Sequence, residues 1–515
     1  MSTNTNVKEK KSFLSKFLDV MEAAGNKLPD PLVLFTLVAV LFILLSGVFS
    51  WLNITAVNPI DGTELIPVNL MSREGFIKIL TNMVSNFTSF APLGLILVCA
   101  MGVSLGEKVG LYQSAIKAGL TRLSHHRTLV VASFIFLGIV ANAAGDAGFL
   151  IMPTLGALVF PSVGLSPIAG ILVGYASVAG GLSANVIVTL TDVICASYTQ
   201  TAAQLLQADF VLNPACNYFF LLVSTFILTA ISTWITLKIL APRTNKWLVA
   251  NVEAVTISDT EKKGIRAAAI ALFLMIALLL FLTVPSNAVL RHPENGGIFV
   301  AGSPFMNGMI PIVAITFFIP SITYGISTGE IKKGADVAKF LTLAMGDLAN
   351  YIVLAFVASQ FVAYFSWSNI GAILAVKGSE FLQQINAPVP VLLILVIIFT
   401  GLLNLLLGSL TAKWAMMAPI LVPMFMLLGI NPAATQMAYR IGDSVTNVIT
   451  PLFPYMVFIL SQCKKYDKDL GVGSVITNML PFSIGFFIFW SFLLVLWCLF
   501  DLPLGPGGPV SFLNM

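Results

Sequence analysis

Residues 408–451, GSLTAKWAMMAPILVPMFMLLGINPAATQMAYRIGDSVTNVITP, constrain the fold more than any other stretch. They are apolar enough to lie in a bilayer, yet they carry Lys413, Arg440 and Asp443. Their helical pattern is interrupted at Gly408-Ser409 and again between Gly442 and Pro451. Charge and broken backbone are costly inside hydrocarbon, so together they mark the path of a solute or an ion. A weaker copy of the stretch lies about 265 residues upstream.

The whole chain suits a membrane. Of its 515 residues, 57% are hydrophobic and only 10% charged, where a soluble domain carries about 25% charge. The fold class is therefore an all-α polytopic membrane protein. The net charge of +4 is small and sits in loops, which fits orientation in a bilayer and argues against nucleic-acid binding. Cys99, Cys195, Cys216, Cys463 and Cys498 are scattered, mostly in apolar segments, with neither metal nor disulfide spacing. The first 25 residues are polar and basic and lack an apolar core with a cleavage site, so no signal peptide is expected.

A spanning helix needs roughly 20 apolar residues. Nine stretches qualify: 31–50, 80–105, 167–200, 217–240, 265–285, 306–326, 338–363, 432–460 and 475–500. Two further apolar blocks, about 128–163 and 389–428, are interrupted by small and polar residues, which suits re-entrant hairpins turned at membrane depth. Basic segments occur at Lys8 to Lys16, 105–127, 241–266, Lys332 to Lys339 and Lys464 to Lys468. Nine spans plus two hairpins place all of these on the cytoplasmic side. The N-terminus is then cytoplasmic and the C-terminus outside. Reading each block as two spans gives the same parity. The resulting order is a tail (1–27), a first half (28–240), a cytoplasmic linker (241–264), a second half (265–501) and a C-terminal tail (502–515). The broken helices are 167–200 and 432–460.

The halves repeat. Pro153 answers Pro419, Gly164 answers Gly429, Pro167 answers Pro432 and Asn185 answers Asn447, in order along the chain. With the topology above the copies face opposite ways. An inverted-topology repeat with broken helices is how a secondary transporter builds a site at the midplane.

Each half sets a hairpin apex against a break. In the first, Asn142 to Asp146 faces Gly180 to Asn185, which includes Ser183. In the second, Gly408 to Thr411, with Ser409, faces Gly442 to Asn447, with Asp443 and Ser444. Unwound carbonyls with neutral and anionic side-chain oxygens suit a hard cation such as sodium. The bland alternative is hydrogen bonding between packed helices. Asp192, placed about two turns beyond the first break, needs a partner, an ion or a proton. Arg440 and Asp443 are three apart and able to pair on one helical face, while Arg440 also suits a substrate carboxylate. Trp414 either stacks on an aromatic group or anchors its hairpin. Asp347 reads as structural or water-facing, and no histidine lies near the site.

The segments NFTSFAPLG (86–94), MPTLGALVF (152–160), SANVIVTLTD (183–192), FSWSNIG (365–371), AYRIGDSVTNVITP (438–451) and LPLGPG (502–507) carry a resemblance. From about Asn26 to Pro509 the chain resembles the p-aminobenzoyl-glutamate transporter (AbgT) family, which is similar to other members of the ion transporter superfamily. The resemblance implies a homodimer of subunits with nine spans and two hairpins, in the inner membrane of a bacterium. It implies movement of p-aminobenzoyl-glutamate in either direction, and members have been linked to export of sulfonamide drugs. Family positions tied to transport fall on Asp192, Trp414, Pro432, Arg440, Asp443 and Pro451. Thr411 keeps the hydroxyl of a position that is commonly Ser, Lys413 stands where one relative is expected to have Gln, and Asp146 is acidic in relatives too. No cofactor is expected beyond a coupling sodium ion or proton.

These readings make a cation- or proton-coupled secondary transporter for a small aromatic or amino-acid-derived carboxylate. A sodium-coupled dicarboxylate or citrate carrier is the nearest rival, opposed by the ring of Trp414 and the charge of Asp192. A channel would line whole helices with polar groups. An enzyme would need a nucleophile with a base, whereas no histidine lies in the apolar core and HExxH is absent.

Overall fold

The computed structural model describes residues 31–57, 62–121, 126–145, 147–249, 256–294, 296–298, 303–451 and 453–512. The tail 1–27, with its basic segment and the expected absence of a signal peptide, lies outside the described residues, as do Arg122, His125, Asp146 and part of the linker.

The described chain is almost entirely helical, with one short ribbon pairing Ala56–Val57 and Glu64–Leu65. Seven helical runs are long and apolar enough to cross a membrane: Leu32–Trp51, Arg73–Lys108, Tyr218–Trp247, Asp259–Thr283, Met309–Thr328, Ala349–Trp367 and Val472–Leu499. Their outer faces suit acyl chains. Phe273, Leu274 and Phe281 on Asp259–Thr283, and Leu37, Leu41 and Leu44 on Leu32–Trp51, are all exposed, which water would not tolerate as continuous stripes.

Two expected spans are corrected. Residues 80–105 fall in two helices, Arg73–Thr88 and Ala91–Lys108, parted at Ser89 and Phe90. Residues 338–363 form two helices, Gly334–Asp347 and Ala349–Trp367, parted at Leu348. The carboxylate of Asp347 ends the first helix and reaches Lys108 at 2.5 Å while staying 61% exposed. A charge held at a wet helix end costs far less than one carried through an apolar span.

Both interrupted blocks are helix–turn–helix arches. In the first, Arg127–Val140 leads through a tight turn, Ala141–Ala144, into Ala147–Val159. Gly145 sits in that turn at φ +60°, where a side chain would be strained. In the second, Val389–Asn404 and Leu410–Met426 are joined across 405–409. Ser409 caps the second arm by accepting a hydrogen bond from the amide of Ala412 at 3.3 Å.

The two largest packed groups each draw on both ends of the sequence. One joins 127–180 and 218–240 to 389–404 and 432–499, with Phe134, Phe160, Phe220 and Trp490 in its core. The other joins 31–57 to 349–370, with Phe35, Phe42, Phe361 and Phe365 in its core. Helix Leu190–Ala203 and the arm Leu410–Met426 pack against each other at the seam.

The two breaks differ from expectation in different ways. In the first, helix Pro167–Tyr175 widens into a π-helical turn at Ala176–Gly180, and the chain is then unwound from Gly181 to Thr189. That break is longer than the expected 180–185. Asp192 is consequently in the first turn of helix Leu190–Ala203, not two turns beyond a break. In the second, helix Pro432–Asn447 runs unbroken through Gly442, and the interruption is 448–455. A single glycine costs a helix only about 1 kcal/mol. Gly442 is there because Val389–Asn404 crosses it closely: an added Cβ would stand 2.7 Å from Thr400 Cβ. Pro451 stops the helix instead, by disfavouring helical backbone at the residue before it.

The segment after the last helix is a folded strap. The amide of Phe220 donates to Leu504 O at 2.9 Å, the amide of Asn431 to Val510 O at 3.0 Å and the amide of Phe512 to Gly429 O at 2.8 Å. Its own Leu504 and Val510 are buried against the helices.

Candidate functional site

The polar centre is built from helix Pro432–Asn447 outward. That helix is buried on nearly every face, though its last three turns carry Arg440, Asp443, Ser444 and Asn447. Such a helix is stable only if its neighbours satisfy each polar group.

Arg440 turns toward the first half. Its Nη1 reaches Asp192 Oδ1 at 2.6 Å, and its Nε donates to Ser183 Oγ at 3.4 Å. The other oxygen of Asp192 accepts from the amide of Thr189 at 2.6 Å and from its hydroxyl at 2.8 Å. Asp192 therefore both caps its own helix, where an anion is favoured, and neutralises the guanidinium. Both side chains are about 1–2% exposed.

Asp443 turns to the second arch. Its Oδ1 lies 2.5 Å from Lys413 Nζ, again with neither group accessible. Arg440 and Asp443 thus do not pair with each other, a correction to the expectation from their spacing. One turn of helix aims them at different neighbours, and each finds an opposite charge across an interface.

Asn404, at the end of the first arm, ties the second pair together. Its amide donates to Asp443 O at 2.8 Å, Thr446 Oγ1 at 2.9 Å and Asn447 Oδ1 at 2.7 Å, and its Oδ1 accepts from Lys413 Nζ. Asn447 reaches on to Ala179 O at 3.2 Å, beside Val178 O, which accepts from Asn142 at 3.2 Å. The apex of the first arch and the end of helix Pro432–Asn447 therefore meet at the π-helical turn.

The remaining candidates divide. Asn185 uses its oxygen on the neighbouring amide of Val186, and its Nδ2 has no partner among the described residues. Ser444 is fully buried with its hydroxyl unpartnered. Pro432 opens the buried helix, and Pro451 lies in the interruption after it. Ser409 and Thr411 are not with the ion pairs. They line a cavity of about 430 Å³ together with Leu32, Asn350, Tyr351, Val353 and Leu354.

Trp414 is inaccessible. Its ring stacks on Tyr439 at 4.3 Å, and its Nε1 donates to Thr199 Oγ1 at 2.9 Å. This geometry is that of an anchor. Trp414→Phe keeps the stacking and loses the N–H, so it is expected to lower stability by about 1 kcal/mol. Solute affinity should stay within about twofold. A loss of roughly tenfold, or 1.4 kcal/mol, at unchanged stability would put the ring against the solute instead.

Asn404 escaped the sequence reading, as did a second buried network. Thr199 donates to Gln436 Oε1 at 2.6 Å, and Gln436 donates to Asn217 Oδ1 at 2.6 Å. For Asn404 a signal existed: Asn142 lies 262 residues upstream, the interval that separates Asn185 from Asn447.

The family model described as "AbgT putative transporter family" matches residues 16–512. The p-aminobenzoyl-glutamate transport protein of Escherichia coli (strain K12) is 34% identical over 491 residues, covering 95% of each chain. The crystal structure of the Alcanivorax borkumensis YdaH transporter, described as having an unusual topology, superposes with a TM-score of 0.88 at 37% identity, covering 93% of this chain and all of that one. Neisseria gonorrhoeae MtrF, described as illuminating a class of antimetabolite efflux pumps, gives 0.88 at 38% identity, covering 96% of this chain. These relatives are transporters rather than enzymes, and this chain, a multi-pass membrane protein, belongs to the AbgT transporter family.

Proposed function

We propose that the chain is a secondary transporter that moves p-aminobenzoyl-glutamate, or a related aromatic carboxylate, by alternating access, coupled to sodium or protons. The substrate reading is supported by the Escherichia coli relative. The likeness to MtrF supports export of antimetabolites by the same cycle, and the family resemblance adds sulfonamide drugs as candidate cargo. It works as a homodimer in the inner membrane of a bacterium, with nine spans and two re-entrant hairpins, the N-terminus inside and the C-terminus outside.

The buried Arg440–Asp192 pair carries this reading. A substrate carboxylate offers the guanidinium the bidentate partner it favours. In taking Arg440 it strands Asp192 beside the unwound segment. A buried carboxylate left alone needs a cation or a proton. Ser183 lies on the unwound chain, Gly181 to Thr189, that leads to it. Substrate and cation then occupy the centre together or not at all, which is coupling.

The test is flux of labelled p-aminobenzoyl-glutamate into liposomes under imposed sodium and proton gradients. Saturable flux, driven uphill by one gradient and abolished by its collapse, is expected. Linear flux indifferent to both gradients would mean a channel and end the proposal.

A further inference from the structure

The second charge pair has no counterpart in the first half, and that asymmetry is informative. Asn142 and Asn404 stand 262 residues apart, as do Asn185 and Asn447. At the same interval, Asp443 corresponds to Gly181, and at the 266-residue interval of Pro153 and Pro419, Lys413 corresponds to Ala147. Neither corresponding position is charged.

The side-chain oxygens behave accordingly. Asn142 Oδ1 is buried with no partner among the described residues. The corresponding atom, Asn404 Oδ1, accepts from Lys413 Nζ. The same ammonium lies 2.5 Å from Asp443 Oδ1. Around it, Asn447 Oδ1 and Thr446 Oγ1 are held by the amide of Asn404. An anionic oxygen, neutral amide oxygens and a hydroxyl are the donor set a hard monovalent cation takes. Here the positive charge at its centre is covalently attached. Lys413 is 1% exposed, and a buried lysine is retained only with such pairing.

We infer that Lys413 is a built-in cation: its ammonium fills, in the second half, the position an inorganic monovalent cation would take between Asp443 and Asn404. The second half therefore draws no ion from solution. The exchangeable cation of the cycle belongs to the first half, with Asp192, Ser183, Asn185 and Asn142. The inference rests on the coupled-transport reading for its role in the cycle, but its test does not. Cation binding to purified protein is measured without substrate or flux, so it fails or succeeds whether or not the chain moves p-aminobenzoyl-glutamate.

The experiment compares binding of radioactive sodium by the wild-type protein, Lys413→Ala and Lys413→Ala/Asp443→Asn in detergent micelles. One additional sodium ion per chain is expected in the single variant, lost again in the double variant. Methylammonium should compete for that added site alone. A mere structural ion pair would weaken folding in Lys413→Ala but create no sodium site. Folded Lys413→Ala with wild-type stoichiometry therefore overturns the inference. If that variant does not fold, Lys413→Gln, which keeps much of the side-chain volume, is held to the same outcome. The wild-type protein supplies an independent arm. Crystals grown with thallium(I) should show no anomalous peak against Asp443 Oδ1, and a peak there overturns the inference whatever the variants do.

Discussion

Arg440→Ala is expected to lower transport by roughly 100-fold or more and to destabilise the protein by about 3–5 kcal/mol, since it leaves Asp192 as an uncompensated buried charge. Asp192→Ala should cost a similar amount by stranding the guanidinium. The double variant separates structure from function. With both charges gone nothing is left unpaired, so stability should return to within about 1–2 kcal/mol of wild type. On the proposed cycle transport should not return, because Arg440 is its carboxylate ligand and Asp192 its coupling group. Arg440→Lys should fold better than Arg440→Ala but fail to bind a carboxylate in two-pronged fashion. The measurements are thermal unfolding in micelles and flux in liposomes. A double variant that transports at the wild-type rate would reduce the pair to a structural ion bridge.

The second large effect is expected at Asn404. Its two amide hydrogens are shared among three acceptors, and its oxygen receives the ammonium of Lys413. Asn404→Ala leaves several buried polar groups short of partners at about 1–3 kcal/mol each. A total of about 3–5 kcal/mol follows once neighbours relax. Asn142→Ala is the internal comparison. Its oxygen has no partner among the described residues, and its Nδ2 serves two backbone carbonyls, Ile139 O at 3.0 Å and Val178 O at 3.2 Å. Its cost should stay near 1 kcal/mol. Equal melting temperatures for the two variants would show that Asn404 is not the tie between arch and helix.

Much of this was legible in the sequence, for a physical reason. Apolar length announces a membrane helix, and small polar residues announce the turn of each arch. Partners were harder to see. Asp443 lies three residues from Arg440, and spacing alone favours that pairing, yet Arg440 binds Asp192, 248 residues away in sequence. Only the crossing of Pro432–Asn447 over the first half brings them together. Glycine was over-read: Gly442 looks like a breaker but serves a close helix crossing. The split at Leu348 was under-read because an apolar run hides a change of direction. Asn404 sat in an apolar arm with no polar neighbour to flag it, and only the repeat interval pointed there.

The folded strap bears on which parts of the molecule move as one. It is laced to the turn before helix Pro432–Asn447 and to the start of helix Tyr218–Ile235. Pulling those two points apart would break the strap's hydrogen bond to Phe220 or its two at Gly429 and Asn431, and would bare Leu504 or Val510, whose burial is worth about 1.5–3 kcal/mol each. They travel as a single piece of luggage, and the flexing has to be done at joints elsewhere, such as the uncoiled chain between Gly181 and Thr189. A bulky fusion at the C-terminal end would load that piece directly.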